Sequence, residues 1–276
     1  MQYRDTAIFS DLDGTLFDKH GLVGEQNRRA IRAYTEAGGL FAIATGRSYF
    51  NAKKNLPDVD INAPCIVFNG SGVYDPETDS YPFSVHVDHE AVLSVLLWCR
   101  ENLPGLDTQV YGERMTYYVT PRESANRELV RQLEPCEFTS IEAVAHLPWF
   151  KTLHYGKPEE TKALDDYLSA SGLSERVAIV RAMTEIQPYY EHIELLPKDV
   201  NKGRALDACR ALPLFSGRTL FGIGDYKNDL ELLERADVPC CPENACPEAK
   251  ALSAHIVRPH TDNAIASLIF DLIPRL

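Results

Sequence analysis

The 276-residue chain lacks a basic excess: its 28 lysines and arginines are outweighed by 40 aspartates and glutamates, for a net charge of −12. That disfavours nucleic acid or an anionic membrane as a partner, because nothing is left over to neutralise their phosphates. A small phosphorylated ligand remains compatible, since it needs only one or two local cations. No apolar run reaches membrane-spanning length. The start carries no basic segment followed by a long apolar stretch, so no signal peptide is expected. There is no internal repeat, no Pro/Ser linker and no low-complexity tract. The seven cysteines (Cys65, Cys99, Cys136, Cys209, Cys240, Cys241 and Cys246) are odd in number and scattered. No C-x2-C pair or nearby histidine turns the cluster at 240–246 into a zinc site. Reduced thiols and a cytoplasmic location are the expectation. The eight histidines (His20, His86, His89, His146, His154, His192, His255 and His260) show no ligand spacing. What remains is an ordinary globular composition, 45% hydrophobic and 25% charged, enough for one large domain or two modest ones.

The chain is organised around Ala7-Ile8-Phe9-Ser10-Asp11-Leu12-Asp13-Gly14-Thr15-Leu16. The apolar run reads as a buried parallel strand. It delivers two aspartates to its C-terminal end, where open α/β sheets place ligands. In an extended segment residues i and i+2 point the same way, so Asp11 and Asp13 are expected to face one site together. Two such carboxylates are tolerable beside a cation, with a shared proton, or in solvent. Taken alone, the stretch is equally a surface turn.

A helix over Glu25–Ala37 follows, ended by Gly38-Gly39. A strand over Leu40–Ala44 runs into Thr45-Gly46-Arg47-Ser48, with a helix from Ser48 to Leu56. A third strand, Cys65–Phe68, runs into Asn69-Gly70, giving a parallel β-α-β-α-β pattern. An alternating strand lies around Ser80–Val85. The rhythm then changes. A helix over Asp88–Leu103, a hairpin of Thr108–Tyr111 with Met115–Val119, a helix over Arg122–Leu133, a strand over Phe150–Tyr155, a helix over Pro158–Ser171 and strands over Arg176–Arg181 and Tyr189–Leu195 predict a separate α+β unit with an antiparallel sheet. Tyr117, Tyr118, Trp149, Tyr189 and Tyr190 are expected in its core. The α/β rhythm returns with a helix over Lys202–Leu212, a strand over Thr219–Ile223 ending in Gly224-Asp225, a helix over Asn228–Arg235, strands over Val238–Cys241 and His255–Val257, and a closing helix over Thr261–Leu272.

Asp11/Asp13, Thr45-Gly46 and Gly224-Asp225 all follow apolar strands, and Lys202 opens a helix. Strands of one parallel sheet share an edge, so these groups can meet. Asp11 and Asp225 suit a hard cation such as Mg²⁺, and Lys202 supplies a point charge for a phosphate. The Thr45 hydroxyl and Gly46 N–H can donate to phosphate oxygens. Asn228 can hydrogen-bond within the site. Asp229 can steady a metal-bound water or Lys202. Arg47 suits either a phosphate or an acidic neighbour, and Asn69-Gly70 reads as a tight turn.

In order and spacing, Asp11-Leu12-Asp13-Gly14-Thr15, Thr45-Gly46-Arg47, Lys202 and Gly224-Asp225-Tyr226-Lys227-Asn228-Asp229 resemble the four motifs of the haloacid dehalogenase (HAD) superfamily. The insertion resembles the type IIB cap of the Cof-like subfamily, and Glu243-Asn244-Ala245-Cys246-Pro247-Glu248-Ala249-Lys250 is similar to its G-N-A-x-x-x-x-K segment. Glu243 stands where Gly is common, Cys241-Pro242 replaces a commoner apolar-small pair, and Asn201 precedes Lys202 where a small residue is usual.

The resemblance implies an α/β, Rossmann-like parallel-sheet core (residues 1–83 and 197–276) with an inserted α+β cap (residues 84–196) that closes over the site and selects the substrate. It implies Asp11 as nucleophile, forming an aspartyl-phosphate. Asp13 is implied as the acid and base, with its backbone carbonyl also on Mg²⁺ beside Asp11 and Asp225. Thr45, Gly46, Lys202 and Asn228 are implied as phosphate ligands, with Asp229 behind them. Asp at position 13 is shared by the superfamily's phosphatases and phosphomutases, whereas its ion pumps carry Thr there and its phosphonate hydrolases Ala. The expected partner is a small phosphorylated metabolite, such as a sugar phosphate, acted on by a monomer or homodimer. A phosphomutase is the alternative. A non-catalytic phospho-acceptor module is disfavoured by the Gly-Asp-x-x-Asn-Asp segment. Glu113, Arg114, Tyr117, His192 and Glu194 are candidate substrate contacts in the cap, His20 lies in the loop after the first motif, and the resemblance implies that the Asn69-Gly70 loop borders the site.

Overall fold

The structure is a computed structural model of the whole chain, described here for residues 1–123, 125–127, 130, 136–183 and 190–276. The chain divides into two compact units, Met1–Ser84 with Asn201–Leu276, and Val85–Val200. Among the described residues, no helix is long and apolar enough to cross a membrane, and no disulfide joins the cysteines.

The first unit is built on a five-stranded parallel sheet. Its order is His255–Val257, Val238–Pro242, Thr219–Ile223, Thr6–Ser10, Leu40–Ile43. Thr6–Ser10 lies inside the sheet, between Thr219–Ile223 and Leu40–Ile43, and is buried along its whole length, as expected of a parallel strand covered on both faces. Its register, Ser10 opposite both Ile223 and Ile43, brings the C-terminal ends of three strands level. Asp11, Thr45 and Asp225 follow those ends within two residues. Burying side chains such as Ile8, Phe9 and Phe221 stabilises the sheet by about 1.5–3 kcal/mol each. That fixes the strand ends before any polar group at the edge is considered.

The third strand departs from the expected pattern. Cys65–Val67 touches the parallel sheet only through the bridge between Ala44 and Ile66. It then turns back to pair antiparallel with Gly72–Asp75, which pairs with Ser80–Ser84. Phe68, Asn69 and Gly70 make that reversal possible, all with positive φ. The closing helix expected over Thr261–Leu272 is broken into a short 3-10 turn, one α-helical turn at Ala264–Ala266 and a wider turn over Ser267–Leu272. Asn263, left-handed at φ 58°, separates the first two.

The second unit carries a six-stranded sheet, ordered Val177–Met183, Glu191–Pro197, Lys151–Gly156, Asp107–Tyr111, Thr116–Tyr118, Cys136–Phe138. It is antiparallel except for the last pair, which is parallel and carries the unanticipated strand Cys136–Phe138. Alternate residues of the inner strands, Val110, Ile193 and Leu195, join Val92, Val95, Leu96, Trp149, Leu164 and Leu168 in one apolar core. The helix His89–Asn102 is capped by Asp88, which accepts from the Ala91 N–H. Tyr118 is buried, Tyr117 packs against the apolar core and Tyr190 stacks on Tyr155. His154 is fully buried between Thr152 (3.0 Å) and Thr108 (3.4 Å), and burial pushes its pKa down to about 3, so it is a neutral core group. Tyr189 and most of the helix expected over Arg122–Leu133 lie outside the described residues.

Candidate active site

The Lys202 side chain has no exposed surface, and its ammonium sits 2.6 Å from Asp11 Oδ1 and 2.6 Å from Asp229 Oδ1. The sequence builds this locally. Asn201 caps the helix Lys202–Arg210 by accepting from the Arg204 N–H at 2.8 Å, which sets Lys202 at the first helical position. Asp229 lies in the 3-10 turn Lys227–Asp229 that follows the strand Thr219–Ile223. Its second oxygen accepts from the backbone N–H groups of Asp225 (3.0 Å) and Tyr226 (3.1 Å). Of its two expected roles, Asp229 therefore takes the second, holding Lys202.

Asp11, Asp225 and Asp229 offer carboxylate oxygens all within 4.8 Å of one another. One ammonium serves three carboxylates, so charge is in deficit. Burial raises the Asp11 pKa to about 8, with Asp229 and Asp225 adding to the rise and Lys202 opposing it. Burial also raises Asp225 to about 6, against the hydrogen bond from Thr15. For Lys202, burial pulls the pKa down, but Asp11 and Asp229 outweigh it and hold it above the ordinary lysine value. The donor set is all hard oxygen, which suits Mg²⁺. Asp229 is committed at both oxygens, so Asp11 and Asp225 are the two carboxylates suited to a cation. Asp225 is braced by the Thr15 hydroxyl, which donates to its Oδ1 at 2.9 Å. Gly14 adopts φ +80°, and a β-carbon there would lie 2.4 Å from Asp225 Oδ2. Only glycine meets both demands at low cost.

Asp13 does not join this trio. Asp11 and Asp13 both keep extended dihedrals (Asp13 at φ −75°, ψ 119°), but the chain winds into a tight turn over Leu12–Leu16, which Gly14 reverses at φ 80°. Asp13 is 63% exposed, and Arg47 grips its carboxylate at both oxygens, through Nε at 3.1 Å and Nη2 at 2.7 Å. The Arg47 guanidinium also lies over the Phe17 ring. Arg47 thus takes the acidic neighbour, and that neighbour is the expected acid.

Thr45 is buried and its Oγ1 accepts from the Arg47 N–H at 3.2 Å. Asn228 is exposed and donates to Asn69 Oδ1 at 3.3 Å. Gly46 packs so closely on Asn69 that a β-carbon there would sit 2.9 Å from Oδ1. The tail segment is tied in as well: Asn244 donates to the Gly14 carbonyl (2.8 Å) and accepts from the His260 N–H (2.9 Å). The first unit therefore brings Asp11, Lys202, Asp225 and Asp229 together in direct contact. It sets Thr45, Gly46 and Asn228 around the Asn69 turn and leaves Asp13 on Arg47. The sequence reading missed the role of Thr15; for Asn69 it offered a tight turn or a loop bordering the site, without a contact. The signal for Thr15 was its place five residues beyond the end of the first strand and two beyond Asp13.

Among the candidates of the second unit, Glu194 is not open to a ligand. It forms a nearly buried ion pair with Lys151 at 2.7 Å. Glu113 and Arg114 are exposed, and His192 is partly buried beside Thr161, Arg181 and Glu191.

Comparison with known proteins bears on the family and the fold. The family model for haloacid dehalogenase-like hydrolase matches residues 8–269. The 5-amino-6-(5-phospho-D-ribitylamino)uracil phosphatase YwtE of Bacillus subtilis is 26% identical, with 97% of this chain and 98% of that protein covered. A haloacid dehalogenase-like hydrolase from Bacteroides thetaiotaomicron superposes with a TM-score of 0.80 at 19% identity, over 96% of this chain and 98% of the other. The subclass IIB sugar phosphatase BT4131 superposes with a TM-score of 0.69 at 18% identity, over 95% and 96%. A Rossmann-like parallel sheet, an inserted α+β unit and a family match over nearly the whole length lead to one conclusion: the chain belongs to the haloacid dehalogenase-like hydrolases, of the Cof type.

Proposed function

We propose that this hydrolase is a Mg²⁺-dependent phosphatase of small phosphorylated metabolites, sugar phosphates or close relatives, working through an aspartyl-phosphate. The observation that carries the reading is the buried Lys202 between Asp11 and Asp229, a cation fixed beside a carboxylate at the end of an inner strand of the parallel sheet. The named activity of the Bacillus relative, hydrolysis of a phosphorylated ribityl compound, supports the substrate class.

In this reading an Asp11 oxygen attacks phosphorus. The new O–P bond forms as the ester O–P bond breaks, and the departing alkoxide takes a proton from Asp13. Asp13 then removes a proton from the water that attacks the aspartyl-phosphate, which releases inorganic phosphate and restores Asp11. Lys202, Thr45, Gly46 and Asn228 offset the charge on the transferring group. Asp11, the Asp13 carbonyl and Asp225 would hold Mg²⁺, which would add positive charge opposite the phosphoryl oxygens. Arg47 holds the Asp13 carboxylate in one orientation between the two proton transfers. Selection of the substrate falls to the inserted unit, which supplies none of these groups.

The test is hydrolysis of p-nitrophenyl phosphate with Mg²⁺. The wild-type protein is expected to release free phosphate stoichiometrically, and both Asp11→Asn and chelation of the metal to abolish release. Full activity in either case refutes the mechanism. Return of the phosphoryl group to substrate without free phosphate points to a mutase.

A further inference from the structure

Three consecutive residues, Phe68, Asn69 and Gly70, have φ of 52°, 55° and 98°. Asparagine tolerates the left-handed region better than other non-glycine residues, whereas a bulky phenylalanine there is an outlier. Each non-glycine residue so placed is strained and persists only where its surroundings determine it. Here they do. The Phe68 side chain is wholly buried. Its N–H donates to the Arg47 carbonyl, and the Asn69 N–H to the Thr45 carbonyl, each at 3.0 Å. On the other side, a β-carbon at Gly70 would fall 2.1 Å from the Asn201 carbonyl oxygen and 2.9 Å from the Lys202 nitrogen. The turn is therefore clamped between the Thr45–Arg47 segment and the backbone that delivers Lys202.

From this clamp the Asn69 side chain reaches two further groups of the site. Its Oδ1 accepts from Asn228 Nδ2, and its amide lies against the Gly46 backbone. Asn228 is exposed, and its amide donates to Asn69 Oδ1 at 3.3 Å.

We propose that Asn69 is a positioning residue of the phosphate site, holding the Asn228 amide in a fixed direction from a turn fastened to Thr45, Arg47 and the start of the Lys202 helix. This rests on the phosphatase reading and adds a residue that the four motifs do not contain.

The test measures binding of inorganic phosphate by calorimetry with Mg²⁺ present, together with p-nitrophenyl phosphate kinetics and melting temperature. The proteins are wild type, Asn69→Gly, Asn69→Asp, Asn228→Ala and the double variant Asn69→Gly/Asn228→Ala. Glycine keeps the left-handed backbone and deletes the amide. A neutral hydrogen bond contributes about 0.5–1.5 kcal/mol, so Asn69→Gly is expected to weaken phosphate binding and kcat/KM by about 2–13-fold with little change in melting temperature. The double variant is expected to be no weaker than Asn228→Ala alone. Aspartate keeps the shape and the acceptor but adds charge next to an anion, so it should weaken binding more than glycine does, and less so at high salt. A purely structural role leaves both substitutions silent in phosphate binding. Wild-type affinity in Asn69→Gly or Asn69→Asp, or effects of Asn69→Gly and Asn228→Ala that multiply, overturns the proposal. Loss of turnover in Asp11→Asn judges the phosphatase reading separately, so the two failures are distinguishable.

Discussion

Replacing Lys202 by methionine tests the centre of the site most directly. Methionine fills much the same volume and removes the ammonium. Asp11 and Asp229 each lose a partner at 2.6 Å, in a place where the lysine and Asp229 side chains have no exposed surface and that of Asp11 has 9%. Asp229 keeps its two backbone donors, and Asp11 loses its charge partner. Removing one member of a buried ion pair costs about 3–5 kcal/mol, because the remaining charge is desolvated without compensation. For a unit of this size each kcal/mol is worth about 2–4 °C, so the melting temperature should fall by about 6–20 °C at neutral pH with a chelator present. The double variant Lys202→Met/Asp229→Asn removes one of the stranded charges and should recover part of the stability but none of the activity. Calorimetric melting of the three proteins, alongside phosphate release, is the assay. A shift below about 3 °C for Lys202→Met refutes the view that this ammonium neutralises the buried carboxylates. A double variant no more stable than the single one refutes the assignment of the cost to Asp229.

Three further expectations follow from the same geometry. The folded-state pKa of Asp11 lies near 8 and that of Asp225 near 6, both above the ordinary carboxylate value of about 4. The folded chain therefore keeps protons that the unfolded chain releases. Their stability contribution is complete below pH ~4 and is lost as pH rises through about 6 and then about 8. With chelator present, the melting temperature of the wild type relative to Asp11→Asn should fall across that window, and a flat difference refutes the shift. Arg47→Ala breaks a partly exposed pair, worth at most about 1 kcal/mol to stability. It should lower kcat about tenfold with little change in melting, and an unchanged kcat denies Arg47 its hold on Asp13. Gly14→Ala places a β-carbon 2.4 Å from Asp225 Oδ2 at a φ of +80°, so the Mg²⁺ concentration for half-maximal activity should rise at least severalfold. An unchanged Mg²⁺ titration means that Asp225 is not a metal ligand.

The sequence was legible where one residue type answers one local demand. The fully apolar runs Ala7–Phe9 and Leu220–Ile223 could only be buried strands, and both lie in the central pair of the sheet. The alternation around Thr108–Tyr111 and Met115–Val119 could only be a hairpin, and it is one. Legibility failed where a turn redirected the chain. Nothing in Cys65–Phe68 announces that its strand touches the parallel sheet at one bridge and then reverses through two left-handed non-glycine residues. That reversal is imposed by the buried Phe68 and by hydrogen bonds to residues twenty positions earlier. The parallel strand Cys136–Phe138 was missed for a similar reason: three residues carry too short a pattern, and the partner strand decides their state.

By itself the sequence determined the kind of chemistry: acidic and small polar residues at the ends of apolar strands, one lysine at a helix start, and too little positive charge for a nucleic-acid partner. Hydrophobic periodicity and strand order are local properties, so they survive translation from sequence to fold. The pairing of these groups was decided only in the tertiary structure. Spacing along the strand suggested that Asp11 and Asp13 share a site. The turn at Leu12–Leu16 and the burial of Lys202 give the two different partners: Asp11 lies with Lys202, Asp225 and Asp229, while the exposed Asp13 carboxylate is held by Arg47. Charge partners are chosen by distances across the sheet edge, and residues nearly two hundred positions apart set those distances.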